Sequence, residues 1–262
     1  HTQKINIPAS SETDVLDFIE EDLEFALEAV PDTYTNFNER YGRITKNAVR
    51  ALWADVKLWR NDYEACIELC NVIDASYSSS LVSPQSWYSI FNPGNSSEGI
   101  FELQYVQQGI TSPLYTTFAY HDNGREIYLA NRTSLLENAS LIYPVTSTTA
   151  PQHFSADTIR LKAYSAFNLT QINNGYGSAT EVYKYLGEAA YQRSYRRQDN
   201  RTAKYIFYRY REVMFMKAEA YAMLGDYEEA EKIINKIRTH CDIPEMLPGE
   251  AGQGADFFKR LL

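Results

Sequence analysis

The sequence predicts a mainly α-helical chain of stacked helical hairpins, interrupted by long irregular, aromatic-rich insertions with a short strand pair. Three observations predict it. The first is a repeat. "RNDYEACIELCNVID" at 60–74 and "LGDYEEAEKIINKIR" at 224–238 share Asp62 and Asp226, Tyr63 and Tyr227, Glu64 and Glu228, and Asn71 and Asn235, each pair 226 − 62 = 164 residues apart. The second is apolar residues at helical spacing around both copies. The third is the placing of the rings: the chain has 21 Tyr, and most fall outside the helical stretches.

Residues 11–30 read as the first helix. Ser11 with Asp14 has the form of a capping box, and Val15, Phe18, Ile19, Leu23, Ala26, Leu27 and Val30 recur at helical intervals until Pro31 stops the run. Glu20, Glu21, Asp22 and Glu24 within it read as a solvated helix face, because sequence neighbours on a helix point apart. Residues 45–75 form a hairpin. Thr45 caps its first helix, on which Ala48, Ala51, Leu52, Asp55, Val56 and Trp59 are expected on the faces that meet the partner. Asn61-Asp62 makes the turn, Asp62 caps the second helix, and Cys66, Leu69, Cys70 and Ile73 face inward. Residues 208–240 repeat the arrangement. Val213, Met216, Ala220, Met223 and Leu224 mark the first helix, Gly225 ends it in the left-handed conformation, Asp226 caps the next, and Ala230, Ile233, Ile234 and Ile237 form its buried stripe. Ala54 and Ala218, at matching places, let helices approach closely. Both units are tetratricopeptide-like hairpins, which cannot bury their faces alone and must stack on neighbours. Between them, residues 76–207 break the pattern, with "GIFELQY" at 99–105 alternating like a short strand. An insertion this long within a repeat protein points to function, and its aromatics argue against disorder. The whole is read as one domain, 1–262.

Composition narrows the function. With 262 residues and 44% hydrophobic content the chain can bury a sizeable core, and it has no apolar run near the length of a membrane span. A net charge of −9 argues against a general nucleic-acid binder. Three cysteines make no disulfide framework, and Cys66 and Cys70 read as small core residues. His1, His121, His153 and His240 lack metal spacing, and no phosphate loop or nucleophile elbow occurs, so neither a metal nor a cofactor is expected. Enzyme readings rest on unpaired carboxylates alone. The five Asn-x-Ser/Thr sequons are discounted as chance in a chain rich in these residues. The chain opens at His1 without an initiator Met and stops after "DFFKRLL", which reads as an unfinished helix. We expect a fragment of a longer protein.

Several segments, in order, resemble the SusD/RagB family of outer-membrane nutrient-binding lipoproteins of Bacteroidetes-type bacteria. "DVLDFIEEDLEFALEAVP" looks like its first conserved helix and "GRITKNAVRALWADVKLWRNDYEACIELCNVID" like its first full hairpin. "NSSEGIFELQY" is similar to the segment that follows. "SADTIRLKAY", in which two residues separate Asp157 and Arg160, resembles the family's Asp-x-Arg element, and "YRYREVMFMKAEAYAMLGDYEEAEKIINKIR" a later hairpin. The family's N-terminal portion with its lipidated Cys, and its C-terminal portion, are absent here. The resemblance implies binding without catalysis: an oligosaccharide, or in some members a peptide, is held at the cell surface over a TonB-dependent, SusC-like transporter. The membrane is then reached only through an N-terminal lipid outside this fragment, and ligand contacts come from irregular insertions.

Flat rings suit sugars because pyranose faces present polarised C–H groups, while polar neighbours fix the hydroxyls. "QSWYSIFNPGN" offers Trp87, Tyr88 and Asn92, with Phe91 and Asn95 beside them. "LYTTFAYHDNGREIY" offers Tyr115, Tyr120, His121, Asn123, Arg125 and Tyr128, with Asp122. For any one ring the competing reading is core packing under a loop. "YQRSYRRQDNRTAKYIFYRYR" interleaves Arg193, Arg196, Arg197, Arg201, Lys204, Arg209 and Arg211 with tyrosines. Such a pattern can bind single-stranded nucleic acid, but a solvated loop pairing with an acidic protein accounts for it, and contact with anionic sugars is a third reading. A tetratricopeptide adaptor binding protein segments in its groove is the alternative function, and a glycoside hydrolase the third.

Overall fold

A computed structural model of the chain describes residues 9–83, 86, 89–105, 109–114, 129–131, 179–181, 185, 187–189, 192–195, 202–240, 245–254 and 257. Among these, six helices carry the architecture: α1 (Glu12–Ala29), α2 (Phe37–Gly42), α3 (Lys46–Trp59), α4 (Tyr63–Tyr77), α5 (Tyr210–Met223) and α6 (Tyr227–His240). Strand β1 (Gly99–Leu103) pairs antiparallel with β6 (Tyr205–Arg209). Two further short pairs lie within the insertion, β2 (Leu129–Asn131) with β3 (Ala179–Glu181) and β4 (Gly187–Ala189) with β5 (Gln192–Tyr195).

Local chemistry sets the helix starts. Ser11 and Asp14 form the reciprocal capping box of α1, and the Thr45 hydroxyl accepts the Ala48 N–H at 3.3 Å. Asp226 accepts the Glu229 N–H at 3.2 Å, capping α6. Asp62 departs from the sequence expectation: it makes no cap bond and gives its carboxylate to Lys57, 3.0 Å away. Lys57 also holds Glu20 at 3.1 Å, so Glu20 turns from the solvated face expected of it toward α3. Arg60 meets Asp17 at 2.6 Å, which completes the clamp of α1 onto α3. The two hairpin turns match in backbone as well as in sequence. Asn61 (φ 60°) and Gly225 (φ 84°) occupy equivalent places in the left-handed region.

The hairpins stack directly, although residues 78–209 intervene. Helix α4 packs between α3 and α5, and α6 packs on α5. Small residues make this possible. Ala51, Ala54, Cys66, Cys70, Ala218 and Ala220 have no exposed surface, and Ile73, Val213, Met214, Tyr210 and Ile237 fill the space they leave. Helix α3 has neighbours on two sides. Ala48, Ala51 and Ala54 face α4 and α5, while Val49 and Val56 face Leu23 of α1. At 100° per residue, Leu52 and Trp59 fall in the gap between those stripes; they and Asp55 are exposed, contrary to expectation. Met223, equivalent to Trp59, and Leu224 are exposed too, beside the α5 stripes that neighbouring helices cover.

The β1–β6 ribbon sits against this core. Ile100 is buried in it, Phe101 and Tyr208 pack on it, and the Tyr77 hydroxyl donates to the Gly99 carbonyl at 3.2 Å. Ala230 lies at the α5–α6 contact with Ala218, Ala222 and Ile234 and has no exposed surface. Ala230→Asp therefore places an unpaired carboxylate between helices. We expect a loss of about 3 kcal/mol or more, read as a fall in the thermal transition; an unchanged transition refutes the packing.

Candidate functional site

The ribbon brings the two ends of the insertion together. Its outgoing leg contains the turn 89–95, and its returning leg is 202–204 followed by β6. The Lys204 N–H donates to the Phe91 carbonyl at 2.8 Å, and the Thr202 hydroxyl donates to Asn92 Oδ1 at 2.9 Å. The Gly94 N–H closes the turn on the Ser89 carbonyl at 3.0 Å. Ile90 and Phe91 are buried, and Phe91 meets Tyr185 edge-on at 5.5 Å between ring centroids.

Buried charge lies beneath that turn. Glu98, Ile100 and Glu102 point inward at the period of a strand, and both carboxylates lack exposed surface. Glu98 accepts the Val82 N–H at 2.7 Å and an Arg211 N–H at 3.1 Å, and Arg209 stands 3.9 Å away. Arg209 also donates to Glu212 at 2.9 Å. Glu102 Oε1 accepts the Asn95 N–H and Gln104 Nε2–H, while its Oε2 is buried with no hydrogen-bond partner among the described residues. Burial pushes the Glu102 carboxyl above the ordinary range. The Asn95 and Gln104 hydrogen bonds and the Lys204 charge oppose that shift without cancelling it. Burial likewise pulls the Lys204 ammonium down, with Glu102 opposing, and its Nζ donates to the Tyr105 carbonyl at 2.9 Å.

These contacts revise the reading of the basic stretch. Among the described residues Arg209 and Arg211 pair with carboxylates, but Lys204 and Arg211 are buried rather than solvated. Arg196, Arg197 and Arg201 lie outside the described residues, as do Asp157 and Arg160. Strand β6 departs from the sequence expectation, which starts the helical hairpin at 208; the ring-rich "YIFYR" suits a strand, but the basic residues around it direct the reading elsewhere. Of the nine candidate ligand residues, Asn92 is described: it is half-buried and its Oδ1 is bonded to Thr202. Trp87, Tyr88, Tyr115, Tyr120, His121, Asn123, Arg125 and Tyr128 lie outside the described residues. Phe91, one of the rings beside them, is core, and the Asn95 side chain is tied to Asn38 at 3.0 Å and Gln104 at 2.9 Å. Sequence reasoning missed Glu98 and Glu102, and its solvated reading of the basic stretch hid the buried place of Lys204. The signal for the first two was present: both share the face of Ile100 in an alternating segment.

A second feature lies on the helices, a cavity of about 460 Å³ lined by Glu12, Asp55, Leu58, Trp59 and Glu219. Asp55 and Glu219 hold equivalent places in the two hairpins. Asp55 accepts the Tyr208 hydroxyl at 2.7 Å, and burial, then the Asp55 charge, pushes the Glu219 carboxyl up. Among the described residues no group of three or more His, Cys, Asp or Glu is arranged to hold a metal ion, and no helix is long and apolar enough to cross a membrane.

Stacked hairpins, a strand pair joining the ends of a long insertion, and the ordered motifs define a SusD-type protein. A model of the SusD family matches residues 58–261, and the chain belongs to that family. A SusD-like protein from Bacteroides fragilis superposes with a TM-score of 0.65 at 22% identity, over 99% of this chain and 58% of its own. A SusD-like carbohydrate-binding protein from Bacteroides vulgatus gives 0.61 at 16% identity, over 98% and 48%. Surface glycan-binding protein A from Bacteroides uniformis gives 0.62 at 17% identity, over 99% and 56%. The chain thus spans about half the length of these solved relatives. Comparison with curated proteins returned no match.

The Glu102 shift carries a pH signature. A carboxyl raised in the folded state contributes stability that is present below its unfolded pKa and is lost as pH rises through the folded value. Glu102→Gln carries no such loss. Its melting temperature relative to wild type is expected to climb from about pH 4 to neutrality. A variant melting temperature that falls relative to wild type over that range contradicts the assignment.

Proposed function

We propose that the protein is a non-catalytic, cell-surface binder of oligosaccharide or polysaccharide that delivers its ligand to a TonB-dependent, SusC-like transporter. In this reading an N-terminal lipid holds it at the outer membrane, the stacked hairpins are scaffold, and residues 76–207 carry the ligand site. The observation that carries the reading is the joining of both ends of the aromatic-rich insertion in one ribbon on the repeat core. A scaffold of this kind lets an irregular segment present rings without forming a core of its own. Family membership and the glycan-binding names of two fold neighbours support the same reading. The proposed ligand residues are Trp87, Tyr88, Asn92, Tyr115, Tyr120, His121, Asn123, Arg125 and Tyr128, with Trp87 as a stacking platform for a pyranose face.

Affinity electrophoresis of the full-length protein against a polysaccharide panel tests the function, and Trp87→Ala tests the platform. We expect the variant to lose about 1–3 kcal/mol of binding, by analogy with rings that stack on nucleic-acid bases, with the melting temperature unchanged. Unchanged affinity with a transition lowered by the about 3–5 kcal/mol of a truncated core aromatic sinks the platform. No retardation on any polysaccharide sinks the function.

A further inference from the structure

We propose that Glu102 is a positioning residue for the ligand site, setting through the Asn95 N–H where the turn 89–95 stands. The inference rests on the reading of residues 76–207 as ligand-bearing. Trp87 and Tyr88 lead directly into this turn in sequence, and Asn92 lies within it.

The geometry that carries the proposal is a set of reaches across the ribbon. Glu102 is fixed in β1, yet its carboxylate reaches back seven residues to the Asn95 backbone. Gln104 reaches back nine to the Asn95 side chain and also meets Glu102 Oε1 at 3.3 Å. The returning leg contributes Lys204, whose side chain passes over Gly94. A Cβ built on Gly94 would stand 2.1 Å from Lys204 Cγ and 2.9 Å from Glu102 Oε1. Gly94 also has φ 78°, in the region that favours glycine. The backbone of the turn is therefore held between the Glu102 carboxylate and the Lys204 stem, at the one residue type that fits both the space and the conformation. The neighbouring Asn95, with φ 54°, is oriented by the same carboxylate.

Fold stability alone does not account for this carboxylate. It has no exposed surface, and Oε2 meets no hydrogen-bond donor among the described residues. Desolvation is the largest influence on it, so the fold disfavours its ionised form. A neutral acceptor would serve the core better, whereas an ionised one makes the stronger hydrogen bond to a backbone N–H.

The test uses the full-length protein, a polysaccharide that wild type retards, and amide hydrogen exchange over residues 89–95. Glu102→Gln keeps a neutral, weaker acceptor for Asn95, and its affinity and amide protection are expected to lie between those of wild type and Glu102→Ala. Glu102→Ala removes the acceptor, and affinity is expected to fall about tenfold or more, with exchange at 89–95 accelerated beyond the general loss of protection that its lower melting temperature brings. Gly94→Ala keeps the Glu102 carboxylate but drives a methyl against it and against the Lys204 stem, which displaces the turn, and is expected to reproduce the loss of affinity. The proposal is overturned if Glu102→Ala leaves affinity and protection unchanged, or if Glu102→Gln exposes the turn as fully as Glu102→Ala does. If no polysaccharide is retarded by wild type, the glycan reading fails, and exchange at 89–95 in the two Glu102 variants still decides whether Glu102 sets the turn.

Discussion

The arrangement depends on a carboxylate that never meets solvent. Glu98 joins three parts of the chain that are remote in sequence: Val82 after α4, the start of β1, and Arg211 at the start of α5. Its own carbonyl accepts the Tyr210 N–H at 2.8 Å, so one residue bonds the second hairpin by backbone and by side chain. Desolvating such a pair is expensive, and its net contribution to stability is small. Its directional contribution is not small. An apolar residue in its place would leave Arg211 buried without its carboxylate, so the hairpins must close with Glu98 and Arg211 in register or not close at all.

The two hairpins reach the same geometry by unequal means. In the second, Gly225 turns the chain and Asp226 caps α6, both local devices. In the first, Asn61 takes the left-handed turn and donates no cap; its Oδ1 accepts the Tyr63 hydroxyl at 2.6 Å, while Asp62 serves Lys57. That exchange links the hairpin to α1, because Lys57 holds Glu20 as well. A residue that caps in one repeat binds a neighbouring helix in the other. Repeats in a stack diverge in this way because each has a different neighbour to bury.

What was legible in the sequence was local or periodic. The capping box at Ser11, the Thr45 cap, the Gly225 turn and the stripe from Ala230 to Ile237 each need only a few adjacent residues. Periodicity gave the helices but not their neighbours. Leu52 and Trp59 fit an apolar stripe, yet α3 is covered on two sides and they fall between them. The buried charges were not legible, because the partner that takes Arg211 into the core lies 113 residues away. Read alone, a stretch dense in arginine is solvated; read with Glu98, it is the root of a strand. The candidate site was legible only as a composition, rings with amides in a long insertion, and of its residues Asn92 alone lies within the described part.

A two-stranded ribbon is marginal by itself and can slip. Here the pairing already carries irregularities between Gly99 and Phe101 and between Phe101 and Glu102, so backbone bonding alone fixes the register weakly. The side chains supply what the ladder lacks. A shift of one residue would turn Glu98, Ile100 and Glu102 outward and bring Phe101 and Leu103 in. It would leave Arg211 and Lys204 buried against carbon and would strip the Asn95 N–H of its acceptor. An apolar face on β1 would tolerate such a slip far better, since one aliphatic side chain replaces another at modest cost. Buried charge thus does for this ribbon what shape complementarity does for the helices. It makes one alignment of the two legs acceptable, and the ends of the insertion are placed by that alignment.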